Sequence, residues 1–411
     1  MRINVMAGPA MPPHSIPPGQ PLPKVYVVPI KGEIDASQLY LLRRALKEAV
    51  ENKVDTVILD LNSSGGRMDV ALEMMEAIAK FSVESRSTYA LVNDQAMAAG
   101  SFIAMAATEI YFKPGTARIG EAAAEAPGGA ELDAATRRAL SGFFGGAVRE
   151  LAKGERYRGP VLQAMMDSDL ELKVDNEVIK PKGKRLALTG EEACRPFGYP
   201  RQKLLGAGLA PDADALARQL LGEGNYALKN FERTWPETVA RGINAIAPLL
   251  LGAGILLLLM EFRSPGFGLP GLAGIGVLLI FFVGQYAAGL TGGGPVLLFG
   301  IGIGLFALEL LFFSGSMLCA ILGLFCFLGS IIWAMTDVWP GETFGGVTFS
   351  ALGWPLLKAG LALLMAIGGF LLLRCLRPKV AGAEGDGQPD EKGGRAVPAQ
   401  EIGQAEVPGG E

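Results

Sequence analysis

The sequence predicts an α/β globular half followed by an all-α polytopic membrane half. Three observations carry this. Charged residues nearly vanish between Ile243 and Leu376, whereas residues 1–242 keep the ordinary mix of a folded domain. Short β-branched apolar runs alternate with helix-periodic runs from residue 24 onward. Glycine-bearing or small-residue stretches follow two of the predicted strands, at the ends where ligands bind in parallel sheets.

Residues 1–23 include MAGPAMPPHSIPPGQPLP and read as a disordered proline-rich leader. No apolar run of roughly 7–15 residues follows Arg2, so no secretory signal is visible. KVYVVPI is a strand, and ASQLYLLRRALKEAVENK has helical spacing at Leu39, Leu42, Ala45, Leu46 and Ala49. VDTVILDL is a buried strand broken by NSSGG, and MDVALEMMEAIAKFS is a second amphipathic helix. STYALVND runs into the small-residue stretch QAMAAGSFIAMAAT, and TEIYFKP ends in the turn PGT. This β-α-β-α-β-α-β order predicts a largely parallel sheet within a domain over residues 24–225. Residues 226–242 read as a linker.

Five apolar segments, approximately 243–262, 268–286, 296–313, 317–335 and 356–376, are each close to the roughly 20 residues that cross about 30 Å of hydrocarbon as a helix. A weak repeat joins LLLLMEFRSPGFGLPGLAGIG to LFALELLFFSGSMLCAILG. Each has a glutamate, Glu261 or Glu309, near the end of one span, then a glycine-containing turn and a glycine-rich span. An acid at a helix end in lipid is functional or structural, and both readings stand here. Arginine and lysine cluster in RCLRPK after the last span, which tilts the C-terminus toward the cytoplasm and the globular half away from it. Residues 377–411 read as a disordered tail.

Composition excludes several functions. The chain has 411 residues, 50% hydrophobic and 19% charged, with a net charge of −4, so no nucleic-acid partner is expected. Of four cysteines, Cys194 alone lies in the globular half, and no CxxC spacing calls for zinc. No metal or cofactor is expected. The lone histidine, His14, falls in the leader, which excludes Ser-His-Asp and Cys-His chemistry.

In LDLNSSGGRMD, two glycines after a strand let the backbone approach a ligand with N–H groups at a helix start. Such groups hold an oxyanion or a phosphate, or simply make a turn.

The ordered combination of LNSSGG, NDQAMAAGS, PGTARIG, LTGEEA and SPGFGLPG resembles the ClpP/crotonase fold, and within it the NfeD family of membrane-bound ClpP-class proteins, over about residues 24–376. Unlike long members of that family, the chain shows no OB-fold domain after the spans. The resemblance implies a Ser-Lys dyad. Set against the family's AxSAG run, AMAAG places Ala98 at the nucleophile position, and the lysine position falls within GAVRELAKGER, at Arg149. Alanine has no nucleophile, and arginine stays protonated. Fallback groups are Ser101, one helical turn on, with Lys113 or Lys153 as base; Ser63 and Ser64 are expected to cap the following helix. Glu121 replaces a small residue after RIG and would crowd or charge the cleft. The backbone donors Gly65, Gly66 and Ala99 survive.

Three functions follow. The first is a catalytically degenerate peptide-binding or assembly module. The resemblance implies a stomatin/flotillin-type partner for it, homo-oligomers and residence in the plasma (inner) membrane. The second is an active serine endopeptidase using Ser101. The third is a transporter or channel, for which only Glu261 and Glu309 speak.

Overall fold

A computed structural model describes residues 22–82, 86–122, 156–232, 235–261, 268–289, 293–312, 317–336, 339 and 349–376. The leader, the tail, Arg149 and Lys153 lie outside the described residues.

The first strands and helices follow the predicted order: β1 (Lys24–Ile34), α1 (Ala36–Glu51), β2 (Thr56–Gly66), α2 (Met68–Phe81), β3 (Ser87–Met97), α3 (Ala99–Ala106) and β4 (Glu109–Phe112). Then come β5 (Arg118–Gly120), α4 (Arg158–Met166), β6 (Leu172–Val174), β7 (Glu177–Lys180), β8 (Ala187–Thr189) and α5 (Gly190–Ala193). The domain finishes with β9 (Pro196–Phe197), β10 (Gln202–Lys203), β11 (Gly208–Leu209), α6 (Ala213–Leu221) and β12 (Ala227–Asn230). The main sheet runs β11-β4-β3-β2-β1-β12, and all its neighbours are parallel. β5 continues alongside the end of β3 and pairs antiparallel with β8. Residues 226–242, expected as a linker, therefore hold the edge strand β12 and the start of a further helix.

Strands covered on both faces read as continuous apolar runs. Val57, Ile58 and Leu59 are all fully buried. One face packs under α1, α2 and α3 through Leu42, Leu46, Met74, Ile78 and Phe102. The other packs under α6 through Val25, Val27, Ile58 and Leu91. Each such side chain contributes roughly 1.5–3 kcal/mol of burial. Every residue of α3 is buried, because alanine and glycine let it sit close to β2: a Cβ on Gly100 would lie 3.3 Å from Ser63 Cβ. The C-terminal end of α3 is capped by the buried Arg158 guanidinium, which donates to the carbonyls of Ala107 at 2.7 Å and Thr108 at 3.0 Å.

The membrane half comprises α7 (Trp235–Ala245), α8 (Ala247–Glu261), α9 (Leu269–Ala287), α10 (Gly294–Phe312), α11 (Leu318–Met335) and α12 (Phe349–Leu376). Helices α8 to α12 occupy the five expected apolar segments. Among the described residues, α9 and α11 are long and apolar enough to cross a membrane by themselves. Thr238–Ala245 and Ala247–Glu261 qualify together as one span bent by 61°, and the apolar parts of α10 and α12 are shorter.

The sequence repeat is a repeated hairpin. In α8/α9, a Cβ on Gly274 would meet the Gly254 carbonyl at 3.1 Å; in α10/α11, a Cβ on Gly323 would meet the Gly302 carbonyl at 3.0 Å. Glu261 accepts from the N–H groups of Gly268 at 2.5 Å and Gly271 at 3.2 Å. Glu309 accepts from those of Met317 at 2.8 Å and Cys319 at 3.2 Å. Each acid thus caps the N-terminus of the next helix, where first-turn N–H groups lack intrahelical partners.

Helix α1 joins the two halves. Lys47 Nζ donates to the Gly289 carbonyl at 2.6 Å, just past α9. Arg241 of α7 pairs with Asp35 at 2.7 Å. The globular half thus sits at the Gly289 end of α9, opposite the Glu261 turn. Helix α12 runs alongside α8 in the same direction, with Gly252 against Ala362 and Gly369 against Leu256, so its last residues lie on the Glu261 side.

Candidate functional site

The site forms where β2 and β3 end side by side, with Ser63 opposite Ala96. Gly65 and Gly66 have φ of +130° and +143°. A Cβ on Gly66 would lie 2.3 Å from the Ile34 nitrogen, so only glycine lets β2 pass β1 here. On β3 the chain turns into α3 at Ala98, whose φ of +46° and ψ of −117° are sparsely populated for a residue with a side chain. The Ala98 N–H donates to the Gly120 carbonyl at 3.1 Å, which holds this turn against β5. A Cβ on Gly65 would lie 2.9 Å from the Ala98 methyl. The methyl therefore lies directly against the Gly65 backbone, at a strained strand-to-helix elbow that points one side chain out of the sheet.

Ser101 is fully buried, and its Oγ donates to the Ala98 carbonyl at 2.6 Å. The Ser101 N–H donates to the same carbonyl at 3.1 Å. This is a local back-bond within the first turn of the helix. The hydroxyl proton is engaged with the elbow backbone, on the wrong kind of partner for activation by a lysine.

Lys113 lies elsewhere. Its Nζ donates to Asn93 Oδ1 at 3.0 Å, Asn93 Nδ2 donates to Asp60 Oδ1 at 3.2 Å, and Asp60 pairs with Lys31 at 3.0 Å. This polar chain crosses β1, β2 and β3 five residues before the elbow, a separation of roughly 16 Å along a strand. A lysine that the sequence did not single out, Lys180, is almost fully buried. Burial pushes its pKa down. Its ammonium donates to the carbonyls of Asp167, Ser168 at 3.2 Å and Leu170 at 2.5 Å, so it pins the 167–170 loop.

Ser63 and Ser64 do not cap α2. Ser63 Oγ is buried and donates to the Gly32 carbonyl at 2.6 Å on the neighbouring strand; Ser64 is exposed; Arg67 occupies the cap position, and its side chain pairs with Asp69 and does not cap the helix. Ser63 Oγ also accepts the Gly65 N–H at 3.2 Å. Of the three backbone donors expected at the site, Gly65 is thus engaged by the scaffold. Ala99 begins α3, and its N–H belongs to the first turn, which has no acceptor inside the helix.

Glu121 follows β5 with φ +46° and is exposed, and its N–H donates to the Leu186 carbonyl at 2.8 Å. Cys194 is half-buried, and burial pushes its thiol up to about 11. Among the described residues no group of three His, Cys, Asp or Glu side chains is placed to hold a metal ion.

Comparison with known proteins gives two family matches. The NfeD1b N-terminal domain matches residues 24–204, and the NfeD integral membrane domain matches residues 245–375. The chain is 34% identical to membrane protein NfeD1b of Bacillus subtilis over 313 residues, covering 75% of this chain and 67% of that one. It is 22% identical to the membrane-bound protease PH1510 of Pyrococcus horikoshii over 336 residues, covering 78% and 69%. A solved mutant of the 1510-N membrane-bound stomatin-specific protease, in complex with a substrate peptide, aligns at 19% identity. That alignment has a TM-score of 0.39 and covers 54% of this chain and 98% of the other.

Proposed function

This chain belongs to the NfeD family of membrane proteins, and from that premise we propose that its globular half is a pseudopeptidase that binds extended peptide without cutting it. The observation that carries the reading is the Ala98 methyl at the elbow, against Gly65, where an attacking hydroxyl would have to stand. The nearby Ser101 hydroxyl is bonded to the Ala98 carbonyl, which supports the same reading. Strand ends that leave Gly66 exposed beside the first-turn Ala99 N–H, with no nucleophile, support recognition of a strand-like segment by main-chain bonds.

The partner class comes from the family. A stomatin- or flotillin-type membrane protein, presenting its hydrophobic C-terminal segment, is the first candidate, bound by a homo-oligomer of this chain in the plasma (inner) membrane. Helix α12 runs toward the side of the Glu261 turn, away from the globular half, and the sequence continues from it into a basic run. The positive-inside rule supports a globular half on the non-cytoplasmic side. The transporter reading loses its support, since Glu261 and Glu309 are occupied as helix caps.

The test uses full-length protein in detergent and a serine-reactive fluorophosphonate. No labelling is expected; labelling that vanishes in Ser101→Ala would establish an active serine and end the proposal. Ala98→Ser combined with Arg149→Lys is expected to restore weak peptide cleavage. An inert double variant would show that the cleft, beyond the dyad, has diverged.

A further inference from the structure

Five residues in the φ region that favours glycine meet at the elbow: Gly65, Gly66, Ala98, Gly120 and Glu121. Three are glycine, as that conformation favours. Glu121 is neither glycine nor the short asparagine or aspartate that such positions tolerate. Its backbone has no room to relax. Gly120 is clamped between Met97 of β3 and Ala187 of β8, where a Cβ would lie 2.3 Å from the Leu186 carbonyl. The Gly120 carbonyl accepts from Ala98 N–H at 3.1 Å, and the Glu121 N–H donates to Leu186 at 2.8 Å. Glu121 is thus one residue from the atom that holds the elbow. It is exposed, and among the described residues its carboxylate makes no hydrogen bond or ion pair.

Lys184 and Arg185 precede Leu186, whose carbonyl accepts the Glu121 N–H, and neither forms an ion pair with Glu121. Arg67 is paired with Asp69 at 2.5 Å, and Arg118 is exposed two residues before Gly120, opposite Thr189 on β8. Among the described residues the Glu121 side chain makes no contact that supports the fold.

We infer that Glu121 is a specificity residue of the cleft, selecting peptides that carry a lysine or arginine where the bound strand passes Ala98. This rests on the peptide-binding reading above and narrows it: the recognised segment is apolar and extended, with one basic side chain facing the elbow. Attraction across a partly solvated gap is short-ranged and salt-sensitive.

The experiment uses full-length protein in detergent and three fluorescent heptapeptides. These are acetylated and amidated, of alternating valine and alanine, with a central lysine, glutamine or glutamate; binding is followed by anisotropy. At low salt the lysine peptide is expected to bind about five-fold tighter than the glutamine peptide, with the glutamate peptide weakest. The preference should shrink to under about two-fold in 0.5 M salt. Glu121→Gln should equalise the three, and Glu121→Lys should invert their order. Glu121→Gly, which suits the backbone, should also equalise them and shows that the fold tolerates change there. Equal affinities for the wild type, or a lysine preference that survives Glu121→Gln, would overturn the role of Glu121 while leaving peptide binding intact. Failure of all three peptides to bind would remove the peptide-binding reading and this inference with it.

Discussion

Arg241 Nη1 stands 2.7 Å from Asp35 Oδ2, so the helix that bends into the first apolar segment is tied to the residue that starts α1. Asp35 Oδ1 meanwhile accepts from Ser37 Oγ at 2.6 Å and from the Gln38 N–H at 3.1 Å. One residue earlier, Ile34 lies against Gly66 and accepts the Arg67 N–H at 3.0 Å. A single carboxylate therefore serves as helix cap and membrane-side anchor, beside the glycines of the candidate site.

These two duties predict unequal losses. Asp35→Ala removes an N-cap and is expected to cost about 1 kcal/mol, largely insensitive to salt. Arg241→Ala breaks an ion pair whose arginine is half exposed and should cost less than about 1 kcal/mol, fading as salt rises. Unfolding of both variants in detergent at two salt concentrations checks this. A larger loss for Arg241→Ala would mean that the anchor, not the cap, holds α1.

Gly65→Ala tests the elbow. Its new methyl would sit 2.9 Å from the Ala98 Cβ at a φ of +130°, so a loss of at least about 2 kcal/mol is expected. Gly115→Ala is the control, since φ there is +86° but the space is open, and only the backbone preference of about 1 kcal/mol applies. Equal losses in the two variants would mean that the Ala98 methyl does not press on Gly65.

Much of this architecture was legible because lipid and parallel sheets impose simple patterns. Five apolar runs marked five helices, and VDTVILDL marked a strand covered on both faces. What sequence hid were partnerships between distant residues. Ser63 looks like a cap for α2, yet its hydroxyl reaches Gly32, 31 residues earlier and on another strand. Ala227–Asn230 looks like linker, yet it pairs with Lys24–Val27 at the other end of the domain. The acids of the repeat were visible, but their acceptor role depends on how each hairpin turns back on itself. Lys113 reads as surface, yet it joins the Asn93–Asp60 chain across three strands.

Cys194 gives a prediction in pH. Its Sγ donates to the Gly208 carbonyl at 3.5 Å, and burial raises the thiol from an ordinary 9.0 to about 11. With the folded value above the unfolded one, the stabilisation is complete below about pH 9 and is lost as pH rises through 11. Near pH 8, where only thiolate reacts, alkylation of the folded protein should run about 100-fold slower than that of a free cysteine. Mass spectrometry of iodoacetamide-treated protein between pH 7 and 10 measures this; fast labelling at pH 7 would contradict the buried thiol.

Glu261 and Glu309 make the last prediction, because the two hairpins are built alike. Gly254 and Gly302 each precede their acid by seven residues, and each acid accepts two backbone N–H groups at the start of the next helix. Hydrogen bonds to a charged acceptor are worth about 1.5–3 kcal/mol, partly recovered by water at a helix end. Glutamine keeps one acceptor oxygen and loses the charge that complements the helix dipole. Glu261→Gln and Glu309→Gln should therefore each cost about 1–2 kcal/mol in detergent. The hairpins cap separately, so the double variant should lose close to the sum of the two. Ion flux through proteoliposomes should be the same for wild type and double variant. A double variant as stable as wild type but with altered flux would return both acids to a transport pathway and remove them from the frame of the bundle.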